Sequence, residues 1–225
     1  RISGPDAVGI AGKAFVLAQK KITLSSVTTH TIHYGHVRVP NTDIFIDEAM
    51  ACVMRGPRSF TGEDVVELSV HGSVVGARRT LEAVHQAGAR MAGPGEFTKR
   101  AFLNGRLDLP QAEAVIDLIK AKSDKSFDVA LEQLEGALSA KIKDIRALLV
   151  DVLVNLTVNI DYPDEDIEEM TYEKLFKDVS NIRDYIDNLL KTADTGKILN
   201  EGLKVSIVGK PNVGKSSLMN ALIGE

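Results

Sequence analysis

The sequence predicts a multidomain α+β protein: a mixed region of strands and helices, then a helical region, then the opening of a nucleotide-binding domain. Three observations predict it. Runs of β-branched residues bounded by turn residues alternate with helical patterns as far as about Leu107. From Pro110 onward, apolar residues settle into steps of three and four. At the end of the chain, a glycine-rich phosphate loop stands between a short apolar run and another helical pattern.

The elements follow in order. Asp6 to Leu17 reads as a short helix with Val8, Ala11 and Phe15 on one face. Thr31 to Val39 and Ile44 to Val53 read as strands divided by the turn Pro40-Asn41-Thr42-Asp43, and Val65 to Val70 reads as another. Ser73 is placed to cap a helix running to Ala87, with Gly88 past its end. Gly93-Pro94-Gly95 is a loop and Asn104-Gly105 a turn. Pro110 suits the first turn of a helix over Gln111 to Lys122, and Ser123 and Asp124 suit a restart. Leu131, Leu134, Leu138, Ile142, Ile145, Leu149, Val152 and Leu156 then predict one long amphipathic helix. An acidic break containing Pro163 spans Asp161 to Glu169. A last helix runs from Tyr172 to Ala193 with Leu175, Val179, Ile182, Ile186 and Leu189 on its stripe, ended by Gly196. These stripes read as bundle core.

The composition is that of an ordinary globular protein, 44% hydrophobic and 26% charged over 225 residues, enough for one or two domains. No stretch approaches the roughly 18 apolar residues of a membrane span, and no signal peptide is visible in a chain that opens on Arg1. Net charge of −4 argues against a nucleic-acid surface spread over the whole chain and leaves room for a local basic patch. The single cysteine, Cys52, excludes an internal disulfide. Its apolar run Ala49 to Met54 predicts a buried structural thiol, which fits a reducing cytoplasm.

The phosphate loop is G-x-x-x-x-G-K-S from Gly209 to Ser216. A triphosphate needs many donors and close backbone approach. Gly209 and Gly214 permit the turn, and amides from Val213 to Ser216 form an anion-binding nest at a helix N-terminus. Lys215 suits the β- and γ-phosphates and Ser216 a Mg²⁺ ion. Val205, Ile207 and Val208 read as the preceding strand, and Leu218, Met219, Leu222 and Ile223 as the following helix. Only eight residues follow Ser217. They have no room for a second-strand Asp, a switch loop or a base-reading loop, so this chain alone is expected to bind nucleotide weakly and not to hydrolyse it.

Several runs occur together in order. They are Arg1-Ile-Ser-Gly4, Ser59-Phe-Thr-Gly-Glu-Asp64, Glu67 to Gly72, Gly93-Pro-Gly-Glu-Phe97, Arg100-Ala-Phe-Leu-Asn104 and Leu107 to Ala114, then Asp161-Tyr-Pro-Asp-Glu165 and Gly209 to Ser217. The ordered set closely resembles the MnmE (TrmE) family of tRNA-modification GTPases over essentially all 225 residues.

The resemblance implies three domains. Residues 1–107 would form a folate-binding and dimerisation domain, like the tetrahydrofolate-binding domain of aminomethyltransferases. Residues 108–200 would form the first part of a helical domain, and 201–225 the start of an inserted Ras-like GTPase domain. It implies a strand-forming segment ahead of Arg1 and a C-terminal Cys motif that Cys52 does not match. It implies GTP, Mg²⁺, K⁺ and 5-formyl- or methylene-tetrahydrofolate as cofactors. The reaction implied is addition of an aminomethyl-type group to C5 of the wobble uridine of tRNA, with the flavoprotein MnmG as partner. A homodimer through the N-terminal domain and a cytoplasmic location are implied too.

By position in the motifs, the resemblance assigns folate contacts to Arg1, Glu67 and Arg106, the last standing where some members have Lys. It assigns nucleotide contacts to Asn212, Val213, Gly214, Lys215, Ser216 and Ser217, the Mg²⁺ ligand to Ser216 and a K⁺ contact to Asn212. The chemistry suits them: a carboxylate such as Glu67 accepts from pterin N–H groups, and guanidinium forks meet the carboxylates of a glutamate tail.

Other signals are weaker. His30, His33 and His36 recur every third residue, which on a strand alternates faces. His71 suits a ligand contact or a packed structural role. The acidic run 164–169 lacks the spacing of a Ca²⁺ loop. Arg78-Arg79 and Lys99-Arg100 suit tRNA phosphates or plain helix-surface charge. Three functional readings stand: a K⁺-activated GTPase of tRNA modification, a folate-binding dimerisation scaffold without catalysis of its own, and a P-loop ATPase unrelated to folate.

Overall fold

The computed structural model describes residues 1–19, 22–161, 171–201, 206–211 and 213–223. The chain divides into two compact units, one of residues 1–116 with 133–139, the other of 117–132 with 140–225.

The first unit is built on a five-stranded sheet. Its strands are β1 (Ile2–Ser3), β2 (Phe15–Leu17), β3 (Thr31–Arg38), β4 (Phe45–Met54) and β5 (Val65–Val70), in the order β1-β5-β4-β3-β2. Every neighbouring pair is antiparallel. One face is covered by α1 (Ala7–Ala14) and α2 (Val74–Gln86). Val37, Ala49, Ala51, Val53 and Val66 point into that core with Val8, Ala11, Phe15 and Val84. The period of two then places Ile32, Tyr34, Met50 and Cys52 on the other face, where Ile32 is 67% and Tyr34 54% exposed.

The predicted strands β3, β4 and β5 appear close to their expected bounds. Ser73 caps α2 by accepting from the Gly76 amide, and Gly88 follows at φ +117°. The expected helix from Asp6 to Leu17 ends early, at Ala14. Phe15, Val16 and Leu17 join the sheet edge, paired with Val37, His36 and Gly35. Their branched and aromatic side chains gain more on a pleated surface than in a last helical turn. A helix not anticipated, α3 (Glu96–Leu103), starts from Gly95 at φ +70°. Helix α4 (Leu109–Lys120) begins with a reciprocal cap: the Gln111 amide donates to Asp108 Oδ1, and the Asp108 amide to Gln111 Oε1.

The helices of the second unit depart more from the sequence reading. The expected single long helix is two, α5 (Asp124–Leu134) and α6 (Ala137–Asp161). Gly136 stands between them at φ +97°, a left-handed geometry that stops a helix. Ser123 caps α5 as expected, accepting from the Ser126 amide. Helix α7 (Tyr172–Glu201) runs through Gly196 instead of ending there, since an interior glycine costs only about 1 kcal/mol. The acidic break lies, apart from Asp161, outside the described residues. The stripes do not form a closed core: Ile182 is buried, but Leu138, Ile142 and Leu149 are 37%, 49% and 42% exposed. A bundle stripe is covered only where another helix faces it. Ser206 to Gly209 form no strand, for a strand needs a neighbour to take its backbone hydrogen bonds; Val205 lies outside the described residues. Helix α8 (Lys215–Ile223) follows the loop.

Two glycines test this packing with opposite signs. A Cβ on Gly35 would meet the Val16 carbonyl oxygen at 2.2 Å and the Phe15 ring at 2.7 Å, whereas one on Gly9 in α1 meets nothing within 4 Å. Gly35→Ala is expected to destabilise by about 3 kcal/mol as an overpacking change. Gly9→Ala should stabilise by about 0.5–1 kcal/mol through helix propensity. Urea unfolding monitored by circular dichroism measures both.

Candidate functional site

The register of β1 on β5 sets Ile2 opposite Val66 in the core. Arg1 and Glu67, one residue away on each strand, therefore lie on the uncovered face. Arg1 Nε and Nη2 both donate to Glu67 Oε1 at 2.6 Å. The side chains stay 42% and 38% exposed. An exposed ion pair adds little stability, so these groups remain open to a ligand. Across the sheet Glu67 faces Cys52, and Cys52 faces Ile32.

Arg106 arrives from the turn after α3, held there because the Arg106 and Leu107 amides both donate to the Ala101 carbonyl. The Arg106 guanidinium lies over the Phe60 ring at 5.1 Å, and its Nη1 donates to the Phe60 carbonyl at 3.2 Å. The Arg1 guanidinium lies over the same ring at 5.3 Å and over Phe97 at 5.8 Å. The structure thus links Arg1, Glu67 and Arg106, about 40 to 105 residues apart in sequence: Arg1 pairs with Glu67, and Arg1 and Arg106 share the Phe60 ring. Sequence reasoning passed over Phe60; the signal available was one aromatic residue inside an otherwise polar run.

That run, Ser59 to Asp64, is fastened at nearly every polar group. Ser59 Oγ donates to the Glu63 carbonyl. Thr61, fully buried, shares a 2.7 Å hydrogen bond with Ser3, and its carbonyl accepts from Asn104. Gly62 sits at φ +77°, where a Cβ would press on Asn104 at 3.2 Å. Glu63 accepts from Ser3 and Arg100, and Asp64 from the Gly56 amide. Arg100 continues to Glu96, which also takes Arg90 and the Gly93 amide. Hydrogen bonds from Arg90 first, then from Gly93 and Arg100, hold the Glu96 carboxyl at about 2. Its stabilising contribution is present above the ordinary 4.5 and is lost as pH falls through about 2.

A cavity of about 480 Å³ opens beside this network, lined among others by Arg1, Leu81, Val84, Met91, Phe97 and Arg100. Of Arg1, Glu67 and Arg106, only Arg1 lines it.

The phosphate loop belongs to the second unit. Gly214, at φ +87°, leads into α8, and the Leu218 amide donates to the Gly214 carbonyl. The Lys215 ammonium folds over the loop, donating to the carbonyls of Gly209 at 3.0 Å and Lys210 at 2.6 Å. Val213, Ser216 and Ser217 are exposed around the helix start. Asn212, the expected K⁺ contact, lies outside the described residues.

The remaining candidates have local explanations. His71 is not packed. It is exposed, and its Nδ1 and backbone amide both meet Asp47, at 2.8 and 2.9 Å. His33 meets Thr31, the His36 ring lies tilted beside Phe45 at 5.0 Å, and His30 turns at φ +62°. No group of three or more metal-ligating side chains occurs among the described residues. Cys52 is half-buried rather than buried, and burial, then Glu67, push its thiol above 9.0. Arg78 pairs with Glu82, and Arg100 is spent on the network above.

Comparison with known proteins adds a separate line. Residues 1–106 match the family model of the GTP-binding protein TrmE N-terminus, and residues 109–220 that of the MnmE helical domain. The chain is 52% identical over its whole length to the tRNA modification GTPase MnmE of Bacillus velezensis, covering 49% of that protein. Identity to the proteins of the same name is 50% in Bacillus subtilis and 53% in Enterococcus faecalis, again over the whole chain. It covers 49% and 48% of those proteins. The chain thus spans about half the length of the curated relatives it matches.

The His71–Asp47 pair makes a pH prediction. The hydrogen bond with Asp47 raises His71 above 6.5, and the same bond lowers Asp47 below 3.8. The histidine's contribution is complete below 6.5 and lost as pH rises through its raised value. The aspartate's is complete above 3.8 and lost as pH falls through its lowered value. The pair is therefore most stabilising between those two ordinary values. NMR titration should place His71 above 6.5, and Asp47→Asn should lower it toward 6.5; a midpoint unmoved by that substitution would contradict the pairing.

Proposed function

We propose, from the premise that this chain belongs to the MnmE (TrmE) family, that it serves a GTP-binding and GTP-hydrolysing protein of tRNA modification. In this reading the protein works with the flavoprotein MnmG in the cytoplasm. It adds an aminomethyl-type group to C5 of the wobble uridine, with a tetrahydrofolate as one-carbon donor. The first unit carries the folate site and the homodimer surface, and residues 201–225 open the GTPase domain. No helix among the described residues is long and apolar enough to cross a membrane.

The observation that carries the reading is the convergence of Arg1, Glu67 and Arg106. The three fit 5-formyl- or methylene-tetrahydrofolate in charge. Glu67 supplies a carboxylate for pterin N–H donors, and two guanidiniums supply planar forks for the carboxylates of the glutamate tail. The folate, when bound, supplies the one-carbon unit; these side chains bind and orient it. Ile32, Tyr34 and Met50 give the uncovered face an apolar surface beside this site, which supports a second copy meeting the sheet there.

At the loop, the Lys215 ammonium and the amides at the start of α8 suit the phosphates of GTP, and the Ser216 hydroxyl suits Mg²⁺. K⁺ at Asn212 would stabilise charge developing on the transferring phosphoryl group. The scaffold reading remains the alternative for the first unit alone, since that unit holds no nucleotide element.

Two measurements test this. Full-length protein should bind 5-formyltetrahydrofolate in calorimetry, and Arg1→Ala, Glu67→Gln and Arg106→Ala should each weaken binding about tenfold or more, the scale of a lost charge-assisted hydrogen bond. Binding unchanged in all three would remove the folate assignment. The full-length protein should also hydrolyse GTP faster in K⁺ than in Na⁺; equal rates would sink the K⁺ role.

A further inference from the structure

We propose that Phe60 is a positioning residue of the anion-binding half of this site: its ring holds the Arg1 and Arg106 guanidiniums together as one receptor for a ligand carrying paired carboxylates. The inference rests on the folate reading and adds a residue to it.

The loop itself isolates Phe60. In Ser59-Phe-Thr-Gly-Glu-Asp64 the polar side chains bind the loop to itself or to its neighbours, and the glycine provides the turn. The Phe60 side chain takes no part in those hydrogen bonds. It is partly buried and absent from the fully buried core. The Arg1 and Arg106 guanidiniums lie 5.3 and 5.1 Å from its ring centroid, and its carbonyl accepts from Arg106.

The two guanidiniums, 5.3 and 5.1 Å from one ring centroid, carry like charges that repel, and an exposed arginine is spread over many rotamers. An aromatic face opposes both effects. Its quadrupole attracts each cation, and its plane restricts each fork. The fastened loop then fixes the ring, so the ring fixes the forks. A ligand with two carboxylates meets two oriented forks and loses less entropy on binding. Glu67 occupies only Arg1, which leaves Arg106 as the fork without a carboxylate partner in this group.

The test uses the full-length protein and 5-formyltetrahydrofolate in calorimetry, with thermal unfolding of each variant. Phe60→Leu keeps an apolar side chain and removes the π face, while Phe60→Tyr keeps it. The expected result is binding about tenfold weaker for Phe60→Leu, wild-type within twofold for Phe60→Tyr, and an unchanged unfolding midpoint. Should Phe60→Leu lower the midpoint, Phe60→Met takes its place with the same expectation. Wild-type binding by the leucine or methionine variant overturns the positioning role, as does a tyrosine variant as weak as leucine. If the wild-type protein itself fails to bind, or if Arg1→Ala and Arg106→Ala bind as wild type, the folate reading has failed and the inference falls with it.

Discussion

In an antiparallel sheet, successive side chains point to opposite faces, so one register fixes the side of every residue on a strand. Here Ile2 and Val53 both lie opposite Val66. With Val66 buried under the helices, Arg1, Glu67 and Cys52 must emerge on the other side. A slip of one residue in β1 or β5 would bury an arginine or a glutamate in a core of valine and alanine, at a cost no nearby partner offsets. The site on the uncovered face thus shares its cause with the core: the alternation that packs Val37, Ala51, Val53 and Val66 also presents Arg1 and Glu67.

The second constraint is the fastening of residues 59–64. This segment reaches β1 through Ser3 and α3 through Arg100 and Asn104. Its hydrogen bonds join groups far apart in sequence, so Phe60 and the turn carrying Arg106 are positioned by the same network. Glu96, held far below its ordinary range, anchors the outer end. A loop with this many fixed polar groups is a rigid support, and rigid supports suit binding side chains better than mobile ones.

Much of this was legible in the sequence. Strands β3, β4 and β5 follow from alternation and turn residues, and the α2 cap from Ser73. The proposed folate contacts Arg1, Glu67 and Arg106 come from motif positions within a resemblance, since nothing in an isolated arginine or glutamate announces a ligand. What escaped depends on tertiary neighbours. Phe15 to Leu17 look helical until β3 offers an edge. Gly136 looks tolerable within a helix until its φ is known, and Gly196 looks like a stop yet is not one. The stripe of α6 looks like core, but burial needs a facing helix. Phe60 was hidden because an aromatic residue reads by default as packing, and the role proposed for it rests on the two guanidiniums beside its ring.

Hydrogen–deuterium exchange of the full-length protein, with and without 5-formyltetrahydrofolate, tests most directly whether the uncovered face at β1 and β5 is the ligand site. Added protection should fall on the backbone around Arg1, on residues 57–67 and on 104–107, and leave 81–91 unchanged. Protection confined to 81–91, beside the cavity lined by Leu81 and Met91, would place the ligand elsewhere and contradict the account.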